Sequence, residues 1–131
     1  MKLLIFLSFY YFLHNSCISI ESSIQGDWAI HEIDAPFTIL DNSLSFKENK
    51  ICELPLSSLS ERYTSYEIGQ WTIFKKNGKN YLKISSDNWR FNDIYEIKNM
   101  QTYQDPISLG YLITVTFESR KTKMICVRPK I

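Results

Sequence analysis

Apolar and polar residues alternate along this chain in short runs, punctuated by Gly, Pro, Asn, Asp and Ser. Alternation of period two marks a strand with one buried face, because successive side chains point to opposite sides. Eight strands are predicted in this way. The first spans residues 24–33, through Gly26-Asp27-Trp28, and a loop at Asp34-Ala35-Pro36 ends it. Residues 43–46 and 50–54 form a hairpin about Lys47-Glu48-Asn49, and the serine-rich residues 56–62 read as a loop. Residues 63–74 form a long fourth strand whose phase changes at Gly69: Tyr66 and Ile68 share one face, Trp71 and Ile73 the other. A glycine at a phase change predicts a β-bulge.

Asn77-Gly78 is the strongest turn signal, because that pair takes the positive φ angles of a two-residue hairpin loop. Strands five and six are predicted at 81–84 and 94–97, with a long loop over 99–108 broken by Asp105-Pro106. Residues 111–117 alternate, placing Tyr111, Ile113, Val115 and Phe117 on the core face, and 124–128 close the series. No segment sustains a helical period, so the fold class is all-β: a small antiparallel up-and-down meander of about eight strands. Closing the meander into a barrel removes its two exposed edges.

Ahead of the strands, residues 3–13 are an apolar run behind a single cation, Lys2, in the order of a signal peptide. The run is shorter than the about 20 residues that a membrane-spanning helix needs. It ends at His14-Asn15-Ser16-Cys17, which resembles the lipoprotein cleavage site of bacteria and implies lipid attachment at Cys17. Cleavage nearby to a soluble secreted form is the alternative. The division is then residues 1–16 signal peptide, 17–23 tether and 24–131 one barrel domain.

Gly26-x-Trp28, the run from Leu44 to Pro55, Gly69-Gln70-Trp71-Thr72-Ile73 and Leu82-Lys83-Ile84 come in an order that resembles the small bacterial lipocalin-like proteins. The resemblance implies a calycin-type barrel, a first tryptophan that plugs one end, and an interior or mouth for a small apolar ligand. Trp28 and Trp71 are accordingly the barrel-closing or pocket residues. Trp89, in the polar turn Ser86-Asp87-Asn88-Trp89-Arg90, is either a surface contact or a cover for an apolar edge, and Tyr103 lies in the other aromatic-bearing loop.

Charge narrows the partners. Lys2 is the only charged residue before Cys17, so of 15 basic and 14 acidic residues the exported part keeps 14 and 14. A neutral, evenly mixed surface excludes nucleic acid as the main partner. Lys75-Lys76 and Arg120-Lys121-Thr122-Lys123 fall at predicted turns, as solvated tips or as contacts to a membrane surface or polyanion. With Cys17 at the leader junction, Cys52 and Cys126 remain as an even pair in an exported chain. They are either a disulfide, closing a loop of about 75 residues worth roughly 4 kcal/mol, or two buried thiols. His31 is the sole histidine after the leader, no short-spaced metal ligands occur, and the glycines at 26, 69, 78 and 110 cannot form a phosphate loop.

No enzyme, cofactor or metal is therefore expected. Two roles remain for a protein of the bacterial cell envelope, whether anchored or periplasmic: binding a small apolar ligand, or contacting an envelope protein as an inhibitor or immunity-type module. The first requires that Trp28, Leu44, Phe46, Trp71, Ile84, Tyr95, Ile113 and Phe117 leave the interior open. The second requires exposed aromatic loops. An enzyme would require His31 in a cleft beside a carboxylate or cysteine.

Overall fold

The computed structural model describes residues 20–56, 67–87 and 89–130. The leader, Cys17 and the predicted strand start at 63–66 lie outside them. Eight strands follow one another: β1 (Gly26–Asp34), β2 (Ser43–Phe46), β3 (Ile51–Leu54), β4 (Glu67–Lys76), β5 (Lys79–Ser85), β6 (Asp93–Gln104), β7 (Tyr111–Glu118) and β8 (Lys123–Pro129). Each pairs antiparallel with the next, and β8 pairs back onto β1, so the sheet closes into a barrel. The all-β meander expected from the alternation is the observed architecture. At eight strands, the bore of a barrel is just wide enough for side chains to fill.

Because the strands alternate in direction, the connections divide between two ends. The lower end carries residues 20–25, the β2–β3 and β4–β5 turns, the β6–β7 loop and Lys130. The upper end carries the β1–β2, β5–β6 and β7–β8 connections. At the tip of the β4–β5 hairpin, Asn77 and Gly78 have φ of 54° and 78°, the left-handed pair that their sequence implies.

Four expectations are corrected. Residues 20–24, the first of them within the polar tether, are helical, and Ile24 is buried rather than opening a strand. The β3–β4 register runs unbroken through Cys52 and Gly69, so Gly69 marks no bulge. Its hydrogen side chain makes room instead: a Cβ there would lie 2.9 Å from the Ser85 carbonyl oxygen and 3.2 Å from Cys52 Sγ. The phase change arises because Ile68 faces outward. True register shifts occur between Ile30 and Glu32 and between Lys98 and Gln101, where Asn99 has φ of 53°.

The supposed loop 99–108 is strand as far as Gln104. Beyond Glu96, β6 pairs with β7 alone, so this hairpin extends past the β5 edge. Both of its faces meet solvent there, which removes the alternation a sequence reading relies on. Tyr111, expected on the core face, begins β7 at this outer end and is 55% exposed.

Candidate functional site

The inward faces fill the barrel. Leu44, Phe46, Trp71, Ile84, Tyr95 and Phe117 are all at most 1% exposed, and Trp28 is 3% exposed. Four rings form a chain across the bore, each pair edge to face: Trp28 to Phe117 at 6.5 Å, Phe117 to Phe46 at 6.0 Å, Phe46 to Trp71 at 5.3 Å. Such geometry aligns ring edges with ring faces and excludes water. The Tyr95 hydroxyl, buried among them, donates to the Phe91 carbonyl at 2.9 Å, and burial pushes its pKa up. Ile73, Ile97, Met100 and Ile113 pack against this core from a partly exposed rim.

Trp28 closes the lower end. Its indole N–H donates to the Ile24 carbonyl at 2.7 Å, which satisfies the one polar group of a buried ring. The Arg128 guanidinium lies over the other face, 4.5 Å from the ring centroid, and donates to the Ser23 and Gln25 carbonyls. Those carbonyls end the helical turn, where backbone acceptors lack intrahelical donors, so one arginine caps the turn and covers the tryptophan. Gly26 is part of the same fit. Its φ is +125°, and a Cβ would lie 2.6 Å from Arg128 Nη1. Trp71 is held at the neighbouring turn, where its N–H donates to the Lys47 carbonyl at 2.9 Å and Lys50 Nζ sits 4.6 Å from its ring. Lys50 also pairs with Glu21 of the helical turn.

The upper end is covered differently. Phe37, from the β1–β2 connection, packs edge to face on buried Phe91 at 5.1 Å and on Trp89 at 5.9 Å. Trp89 itself is 55% exposed. Lys121 Nζ donates to the Trp89 carbonyl at 2.6 Å and lies 5.2 Å from its ring, and the Arg90 guanidinium is 5.6 Å away. An exposed indole is thus fixed in orientation by a phenylalanine beneath and cations beside it.

Tyr103, the other candidate contact, lies at the opposite end of the molecule on the β6–β7 hairpin. Around it Ile107, Leu109 and Tyr111 are 92%, 68% and 55% exposed. The loop is self-satisfied: the Asp105 carboxylate accepts from Ser108 Oγ at 2.7 Å and from the Ile107 and Ser108 N–H groups, which holds its pKa below the usual carboxylate value. Leu109 has φ of 62°, a left-handed conformation costing about 1–2 kcal/mol for a side chain of this kind. Trp89 and Tyr103 are therefore two separate exposed features rather than one cluster.

Cys52 and Cys126 are free and buried. The disulfide expectation is corrected: β1 and β2 separate β3 from β8 in the wall, about 14 Å along it, whereas a disulfide needs Cα atoms within about 7 Å. Burial pushes both thiols up to about 12. His31 is exposed at the β1 register shift. Among the described residues no three metal-ligating side chains come together, and none of their helices is long and apolar enough to cross a membrane. Open grooves of about 720 and 540 Å³ lie at the lower end, one between the helical turn and β8 and one beside the β2–β3 turn.

Sequence reasoning missed Arg128 and Phe37, and placed Lys121 at a turn without its contact to Trp89, because these roles depend on contacts between distant segments and leave no local signal. Asp105 had one, since Asp followed at three residues by Ser is a turn-capping pattern. Comparison with family models, with curated proteins and with solved structures finds no match.

Proposed function

We propose that this protein is an exported, membrane-tethered protein-interaction module, a packed lipocalin-like barrel that presents Trp89 at its upper end to a protein partner in the bacterial cell envelope. One contrast carries this reading. The bore is occupied by the chain's own aromatic side chains, while one indole is held outside, 55% exposed, between Lys121 and Arg90. Filled interiors suit a scaffold, and ligand pockets are concave and largely pre-formed. Tryptophan and arginine dominate the energetics of protein contacts, most of all when they are fixed before binding. The flanking cations suit a partner surface that carries carboxylates. The apolar run at residues 3–13 and Cys17 support the tether, and the Gly26-Asp27-Trp28 closure supports the lipocalin-like assignment.

The test is native mass spectrometry together with photocrosslinking from position 89, on protein recovered from its native envelope. A single protein adduct from position 89, abolished by Lys121→Glu, is expected, with no small molecule retained. A stoichiometric apolar molecule retained in the barrel would overturn the reading in favour of a small-ligand carrier.

A further inference from the structure

The proposed contact leaves the lower end unexplained, and that end is unlike the upper one in two respects. Its most exposed apolar side chains, Ile107 and Leu109, stand on a loop whose backbone N–H groups are already satisfied, by Asp105, Ser108 and the Gly110 carbonyl. Leu109 keeps a branched apolar side chain at a φ where glycine or asparagine would be at ease. Cations share this end: Lys75 and Lys76 at the β4–β5 turn, and Lys130, whose N–H donates to the Tyr111 carbonyl at 2.8 Å. The Asp105 carboxylate is turned into its own loop; of the other acids of this end, Glu21 pairs with Lys50, Glu53 with Lys47 and Glu96 with Lys79, and Asp27 accepts from Ser45 Oγ, while Glu48 lies at the β2–β3 turn.

The chain enters the fold at this same end. Only three peptide steps separate Cys17 from residue 20, the first described residue, and these span about 10 Å at most. A lipid on Cys17 therefore brings the lower end against the bilayer and leaves the upper end directed away.

We propose that the β6–β7 hairpin tip is a second membrane contact, in which Ile107, Leu109 and Tyr111 enter the headgroup–acyl boundary of an anionic bilayer while Lys75, Lys76 and Lys130 lie against lipid phosphates. The occupant is a lipid surface because the tether ends here, because Lys75, Lys76 and Lys130 stand at this end without a carboxylate partner among the ion pairs of the described residues, and because a loop without unpaired backbone donors enters an apolar phase at least cost. Lateral aromatic and apolar contacts at this depth orient a protein rather than hold it, which is how one short tether becomes a defined pose. The inference rests on the tether reading for its geometry.

The experiment introduces a benzophenone side chain at position 107 or, separately, at position 89 of the full chain bound to vesicles of phosphatidylethanolamine and phosphatidylglycerol. Lipid adducts at 107 and none at 89 are expected. Leu109→Asn combined with Ile107→Ser, adducts then being read from position 111, should lower the lipid yield by about tenfold. The thermal midpoint should not fall, since asparagine tolerates the positive φ. Lys75→Gln with Lys76→Gln should lower the yield on anionic vesicles and not on phosphatidylcholine alone. Absence of lipid adducts at 107, or a protein adduct in their place, overturns the contact. The intact mass of the same preparation reports the tether independently: lipid mass on Cys17 without adducts at 107 sinks the contact and spares the tether, and adducts at 107 on an unlipidated chain do the reverse.

Discussion

Trp28 and Trp89 stand at opposite ends of the barrel, each with an arginine and an aromatic neighbour, and their environments are otherwise inverse. Trp28 is 3% exposed, its N–H bonded to Ile24 and one ring face covered by Arg128. Trp89 is 55% exposed, in edge-to-face contact with Phe37 and with Lys121 over its ring. A cation beside an indole is common to both, so that contact does not decide the role. What lies beneath does. Trp28 projects into a bore that only side chains can fill, whereas Trp89 comes from a turn that has already covered the upper end with Phe91.

Truncation separates the two most strongly. Trp28→Ala should destabilise by about 3–5 kcal/mol, because it removes the ring at one end of the aromatic chain and leaves a cavity. Trp89→Ala should cost less than about 1 kcal/mol while abolishing the crosslink proposed for the upper end. Urea denaturation of both variants checks this, and similar losses would erase the distinction between plug and contact. The next largest effect is expected for Arg128→Met, about 2 kcal/mol, since two carbonyls lose a charged donor and the indole loses its cover. Lys121→Met at the upper end should cost under about 1 kcal/mol, as exposed charge contacts do.

Between the ends, the wall offers a chemical probe. With both thiols pushed up to about 12, Cys52 and Cys126 should resist alkylation at pH 8 in the native protein and react with iodoacetamide only on unfolding. Reaction at the native rate of a free thiol would show the bore to be open. Variants at the lower end that loosen Trp28 should speed this labelling more than variants at Trp89.

The smallest effect belongs to the outer face. Lys98 pairs with Glu96 at 3.1 Å and with Glu118 at 2.7 Å, and Lys79 pairs with Glu96 at 3.3 Å, linking β5, β6 and β7 where the β5–β6 pairing stops. Hydrogen bonds from Lys98 hold both carboxyls below their ordinary value. Their stabilising contribution is therefore complete above the usual carboxylate range and is lost as pH falls through the depressed values. Lys98→Met should lower the midpoint slightly at neutral pH, with the difference shrinking in acid, as a thermal melt series would register.

Much of the wall was legible locally. Asn77-Gly78 specified its turn because φ preference is a property of the two residues themselves, and period-two alternation located every strand that lines the bore. Legibility failed where strand and core part company. Residues 99–104 read as loop because the hairpin leaves the β5 edge there and only Met100 still packs against the core. Gly69 read as a bulge because Ile68 is an outward isoleucine. Tyr111 read as core because its strand continues inward from it. The tether reading missed helical residues 20–24, whose stability comes from Arg128, more than a hundred positions away in the chain.

By itself the sequence determined a succession of antiparallel strands and the two-residue turn at Asn77-Gly78, since those features depend on neighbours within a few positions. Closure decided the rest: which tryptophan is plug and which is surface, that the cysteines stay apart with two strands between them, and that an apolar hairpin emerges at the end that carries residues 20–25. Each depends on contacts between segments distant along the chain, and such contacts come into being only when β8 meets β1.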